Sequence, residues 1–139
     1  MGGSIGVYLA EMLDPRVKGI IYAEGNVDFN DCFNSNLVIT KFTFDEYVKS
    51  GFESDLEAMR KRGEHTIIIA SQAKAGSVTI YRSSEGLMMV SKTDTLAGEL
   101  KALKIPTLVV YGEKNKGLWT SEKKMAAHFP LVYISGLGT

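Results

Sequence analysis

A chain of 139 residues can form one domain with a real core, and its 16 Lys and Arg balance 16 Asp and Glu. With no net charge, no overall field draws it to nucleic acid or to an acidic membrane surface. The lone cysteine, Cys32, excludes a disulfide framework and points to a reducing, cytoplasmic setting; no apolar run reaches bilayer length, and the first residues lack a signal-peptide pattern.

The opening "GGSIGVYLAEMLDP" reads as a helix closed by Pro15. Ile5, Leu9 and Met12 fall on one face, widened by Val7 and Leu13, and this stripe predicts the buried side. In "VKGIIYAEGN", Ile20 and Ile21 form a short apolar run between Gly19 and Gly25, which suits a parallel strand buried on both faces. Helix, short link and buried strand make half of a βαβ unit, whose other half would be a strand feeding residue 1.

From Asn26 to about Lys104 the character changes to a mostly helical block. "NDCFNSNLVITKF" reads as a short helix. "TFDEYVKSGFESDLEAMRKRG" is the clearest helix, opened by a Thr43/Glu46 capping box and stopped at Gly63. Its stripe is Phe44, Tyr47, Val48, Phe52, Leu56 and Met59, and its basic end, Arg60 to Arg62, suits a helix C-terminus. Residues 64–92 stay open: Thr66–Ile69 and Val78–Tyr81 have strand propensity, while the Ser, Ala and Met content allows helices. "DTLAGELKALK" reads as a helix with Leu96, Leu100 and Leu103 on one side. A buried strand follows at Thr107–Tyr111, then a helix capped by Thr120, then a short strand in "LVYISGLG".

Three phrases carry a family resemblance: "MGG" opening a helix, "GIIYAE" closing a strand, and "IPTLVVYGEKN" after a helical insertion. In this order they resemble the C-terminal half of an α/β-hydrolase, whose nucleophile sits in a Gly-x-Ser-x-Gly elbow between strand and helix. The resemblance implies an α/β fold: the C-terminal half of a parallel sheet, core at 1–25 and 105–139, with a mostly helical cap inserted at 26–104. Met1, Gly2 and Gly3 resemble the last three letters of the elbow, with the glycines on the inner side of the turn, where a Cβ would collide with the neighbouring strand.

Such a site needs a nucleophile, a base and an acid. The resemblance places the nucleophile just before Met1, and gives Met1 the backbone position that contributes to the oxyanion hole. The acid has two seats. The usual one carries Asp in the family and is Asn115 here; the other ends the preceding strand and is Glu24, which is favoured. Glu24 could instead cap a helix or bind backbone amides of the "GNV" turn, and Glu113 is a minor option. "YISGLGT" puts Thr139 at or beside the position of the family's histidine, and Thr cannot serve as a base. His128, on a helix, and His65, in the cap, are poor substitutes.

On this reading the chain is a fragment of a serine-type hydrolase for carboxylic esters or related acyl bonds, a small-molecule substrate class. It is inactive alone, uses no cofactor or metal, and has an open sheet edge at residues 18–24 that invites dimerisation or aggregation. The alternative is a non-catalytic, degenerate relative that binds a ligand or partner, supported by Asn115 and Thr139 at two catalytic seats. Its cap could present Phe42, Phe44, Tyr47 and Phe52 as a contact surface, although their helical spacing favours core packing. A nucleotide-binding domain is disfavoured because neither G-x-G-x-x-G nor a P-loop occurs.

Overall fold

Three short segments pair as an all-parallel sheet: β1 (Ile20–Ala23), β2 (Thr107–Gly112) and β3 (Leu131–Ile134), with β2 in the centre. The register aligns Tyr22 with Val109 and Val109 with Leu131. The structure, a computed structural model, describes residues 2–13 and 15–138. Its helices in chain order are α1 (Gly2–Leu13), α2 (Phe33–Lys41), α3 (Phe44–Glu46), α4 (Phe52–Lys61), α5 (Thr66–Ala75), α6 (Ser77–Lys92), α7 (Leu96–Ala102) and α8 (Thr120–Ala126). The fold is therefore mixed α/β. No helix among the described residues is long and apolar enough to cross a membrane.

The chain forms two compact units, Met1–Cys32 with Met89–Thr139, and Phe33–Met88. Residues 26–32 and α7, which lie inside the helical block expected at 26–104, belong to the first unit with the sheet.

In the first unit one sheet face carries the core. Tyr22, Val109 and Tyr111 pack with Val7 of α1, Leu96 and Leu100 of α7, and Met125 of α8. The opposite face is uncovered: Ile21 is 75 % exposed, and Ala23, Val132 and Ile134 are exposed too. This corrects the expectation of a β1 buried on both faces. Its apolar run is real, but every second residue points to a side where no described element packs.

The expected face of α1 is also corrected. Ser4, Val7 and Ala10 are the buried residues, while Ile5, Leu9 and Met12 lie outside, Met12 at 77 % exposure. Small side chains let α1 approach close to its neighbours, and that contact, not the larger apolar stripe, sets the inward side.

The second unit is helical throughout. The capping box is present: Glu46 Oε2 accepts from the Thr43 N–H (2.8 Å) and Thr43 Oγ1 accepts from the Glu46 N–H (3.4 Å). α3 runs through one π turn (Tyr47–Gly51) into α4. Tyr47, Phe52, Leu56 and Met59 of the expected stripe are buried, with Ile69 and Tyr81, and the widened turn leaves Val48 exposed. The aromatic residues pack on one another, with ring centroids 5.5 Å apart for Phe42–Tyr47 and 6.1 Å for Tyr47–Phe52. Core packing thus accounts for them. Residues 66–75 and 77–92 are helices, which settles the open segment. His65 starts the first by accepting from the Ile67 N–H at Nδ1 (3.3 Å).

The loop after β1 is sewn to α8. Asp31 Oδ1 accepts from the Thr120 N–H and hydroxyl (3.0 Å each), and Oδ2 accepts from the Ser121 N–H (2.7 Å). In return Ser121 Oγ accepts from the Val27 N–H (3.0 Å). Thr120, expected as the cap, is thus a donor to a cap supplied 89 residues away. Asp31→Ala leaves two buried-end N–H groups without their acceptor. We expect it to cost about 1–3 kcal/mol, read as a lower denaturant midpoint at unchanged m-value.

Candidate functional site

The carboxyl ends of parallel strands are where such sheets place their ligands, because the chain turns away there and leaves backbone and side-chain groups converging on a crevice. Glu24 is the first residue past β1 and has φ 45°, a left-handed conformation costing a side-chain-bearing residue on the order of 1 kcal/mol. Its side chain reaches the end of β2. There Oε1 accepts from the Gly112 N–H (2.6 Å) and from Asn115 Nδ2 (2.9 Å). Asn115 is buried, 1 % exposed, whereas Glu24 is exposed. One carboxylate oxygen is fixed by two donors, and the other accepts no hydrogen bond among the described residues. The two seats considered for the acid are therefore hydrogen-bonded to each other. Glu24 takes its backbone donor from β2, not from the turn that follows it in sequence.

Two glycines permit the convergence. A Cβ on Gly3 would run into the Tyr22 phenol, 2.7 Å from Cζ, and sit 3.0 Å from the Gly25 Cα. The start of α1 therefore lies against the end of β1. Gly2 faces open space, so only one of the opening pair is required there. A Cβ on Gly112 would come within 2.6 Å of the Leu137 carbonyl group. The turn after β3 is held against the end of β2, where the Lys114 N–H donates to the Leu137 carbonyl (3.1 Å). So the start of α1, Glu24, Asn115 and residues 137–138 meet at one end of the sheet.

Buried acids and phenols lie behind this edge. Glu122 accepts from the Gly117 N–H at Oε2 (2.7 Å) and from the Tyr133 hydroxyl at Oε1 (2.6 Å); that bond pushes the Tyr133 phenol's pKa up. Tyr111 is 1 % exposed, and its hydroxyl has no hydrogen-bond partner among the described residues. Burial, then the charge of Asp31, raises its pKa. Tyr111 therefore stays neutral and is a poor proton donor.

Beside the loop, Asp28 accepts from the Asn30 N–H (2.7 Å) and pairs with Lys124, which also binds Asp94. These three residues line an open cavity of about 350 Å³ with Phe29, Asn30 and Ser91. Cys32 is buried, its thiol 3.5 Å from the Asp28 carbonyl and 3.3 Å from Ser91 Oγ, as fits a small core residue.

Of the residues singled out from sequence, Glu24 and Asn115 come together, while Met1 and Thr139 lie outside the described residues. Glu113 is exposed and accepts from the Ser135 hydroxyl (2.8 Å), away from Glu24's contacts. His128 is exposed beyond α8, and His65 caps α5. Sequence reasoning missed Asp31 and Lys124, whose partners lie 89 and 96 residues away. No local pattern marks such pairs. Among the described residues no group of three or more His, Cys, Asp or Glu side chains is placed to hold a metal ion. No family model, curated protein or solved structure matches this chain.

The Asp28–Lys124 pair gives a pH signature. Burial alone would raise the Asp28 carboxyl, but Lys124 and the Asn30 N–H outweigh it and hold the pKa below its ordinary value. A folded pKa below the unfolded one adds stability above about pH 4, lost as pH falls through the folded value. Lys124 is raised by its bonds to Asp28 and Asp94, so its share is present below about pH 10 and fades above its folded pKa. Lys124→Met should cost about 1–3 kcal/mol near neutrality. The gap to the parent should narrow on acidification below about pH 3, measured by urea unfolding across pH.

Proposed function

We propose that the first unit carries part of a serine-type hydrolytic site of the α/β-hydrolase kind, acting on carboxylic esters or related acyl bonds, with Glu24 as its acid. The observation that carries this reading is Glu24 itself. It stands at the carboxyl end of a parallel strand, one oxygen held by Gly112 and Asn115 and the other accepting no hydrogen bond among the described residues, beside the start of a helix and the turn after the last strand. A triad acid needs a fixed orientation and a free oxygen for an imidazole N–H.

In the proposed reaction a serine hydroxyl attacks the ester carbonyl. A histidine takes the serine proton and passes it to the leaving alcohol, and water then releases the acyl group by the same route. Glu24 Oε2 holds the imidazole in the right tautomer and stabilises the imidazolium. Asn115 is a positioning residue, because its amide fixes Glu24 without adding a second negative charge. By the family resemblance, Met1, which lies outside the described residues, would offer a backbone N–H to the oxyanion hole where it is joined to a preceding residue. No residue of this chain is proposed as nucleophile or base; the helical unit corresponds to the family's cap, the substrate is a small molecule, and the cytoplasm is the setting.

A second reading, a non-catalytic binding protein of the same architecture, is favoured by Asn115, an amide where the family has a carboxylate. One assay separates the two: p-nitrophenyl ester turnover by the chain as it stands and by a version extended along its reading frame in both directions. We expect none from the first and measurable turnover from the second. In the active version Glu24→Gln should lower kcat by roughly 10²- to 10⁴-fold. Near-normal activity of that variant would remove Glu24 from the mechanism, and an inactive extended chain would favour the binding reading.

A further inference from the structure

The chain leaves the first unit, which holds the sheet, after Cys32 and re-enters it at Met89. That re-entry lies inside α6, which starts in the helical unit and ends in the sheet unit. Each backbone bond of a helix is supported by its neighbours, so disorder in one part spreads along the rod. Unfolding of residues 33–88 would therefore run down α6 into the sheet unit unless the last turn of α6 is held independently.

That turn is held by residues of the sheet unit itself. The Cys32 thiol donates to Ser91 Oγ (3.3 Å), and both residues are buried, so the outgoing and returning segments touch in the interior. Past Ser91 the helix is closed off. The Thr93 hydroxyl donates to the Val90 carbonyl (2.7 Å) and the Asp94 N–H to the Ser91 carbonyl (3.3 Å). Asp94 has φ 56°, the left-handed conformation that ends a helix. Lys124 of α8 then pairs with Asp94 on the returning segment and with Asp28 on the outgoing one. Asp28 is buried and is the stronger arm; the Asp94 side chain is 57 % exposed, so water weakens the other. Asp31, next to Cys32, fixes the outgoing segment to the Thr120 and Ser121 N–H groups of α8 as well. The two segments are thus fastened to each other and to one helix.

We propose that these contacts form a clasp that stops unfolding of the helical unit from spreading into the sheet unit. Lys124 is its centre, because it binds both segments. Residues 33–88 open and re-form as a separate cooperative unit, at lower cost than global unfolding. The bond between Glu24 and Asn115, on the protected side of the clasp, stays set while they do so. The helical unit is thereby free to loosen or to change in sequence without disturbing the carboxyl ends of the strands.

Hydrogen exchange of the full chain, read amide by amide, tests this. Tyr47→Ala with Leu56→Asp empties and charges the core of the helical unit. Protection should fall at least about 10³-fold at Met59 and Tyr81, and less than about tenfold at Val27, Cys32 and Val109. The last three amides donate to acceptors within the sheet unit, so they report on it alone. Lys124→Met by itself should leave Val27 and Cys32 protected. Added to the two core substitutions, it should lower their protection at least about 100-fold, more than the separate effects combined. Ser91→Cys, oxidised to a disulfide with Cys32, ties the same segments covalently and should restore that protection. Loss of protection in both units from the core substitutions alone would overturn the proposal. So would loss at Val27 and Cys32 in Lys124→Met alone, persistence of their protection in the combined variant, or failure of the disulfide to restore it.

Discussion

Parallel strands cannot be joined by a hairpin, and much of this architecture follows from that. Each step from one strand to the next requires the chain to cross back over the sheet, and the crossing is right-handed in nearly all proteins. Here the sheet is built in a single direction, β1 to β2 to β3. Successive right-handed crossings in one direction put their helices on the same side. Leu96 and Leu100 of the first crossing and Met125 of the second accordingly share one core against Tyr22, Val109 and Tyr111. The same rule leaves the other face bare, with Ile21, Val132 and Ile134 in solvent. It also sends every strand's carboxyl end to one edge, which is why Glu24, Asn115 and residues 137–138 can meet although they are far apart in sequence.

Carboxylates hold that edge by accepting from backbone N–H groups at the starts of turns and helices. Glu24 takes the Gly112 N–H, Asp31 the Thr120 and Ser121 N–H groups, Asp28 the Asn30 N–H, and Glu122 the Gly117 N–H. Each bond satisfies a donor that the regular structure leaves over, and each carries charge assistance. Only Asp28 among them also meets a cation, Lys124, in the ion pairs formed by the described residues. The loops are thus located by directed bonds, and the one after β1 also buries Val27 in the core.

Much of the fold could be read from the sequence. The three strands, the Thr43/Glu46 capping box and the Leu96–Leu100 face of α7 all stand where local pattern puts them, because short-range sterics and periodicity decide such features. The inward side of α1 could not be read. Periodicity finds an apolar stripe, but close approach at Gly3 selects the side carrying Ser4, Val7 and Ala10. The helices at 66–75 and 77–92 were undecidable locally, since runs such as Thr66–Ile69 have β propensity that tertiary context overrides. At the candidate site, Glu24 and Asn115 were visible as residues, but the bond between them was not. It depends on a left-handed turn at Glu24 that no glycine announces.

The π turn at Tyr47–Gly51 has a consequence of its own. A wide turn of this kind holds one residue more than regular winding needs, so it behaves as an insertion absorbed without breaking the rod. Everything downstream is rotated by about 100° relative to an unbroken α-helix. That rotation brings Phe52, Leu56 and Met59 to the same side as Tyr47. Winding the same residues as a regular α-helix would swing those three side chains out of their core, whereas losing one residue from the turn would regularise the backbone and keep them in phase with Tyr47. Winding and length are therefore tied together here: the wide turn and the extra residue can go only as a pair.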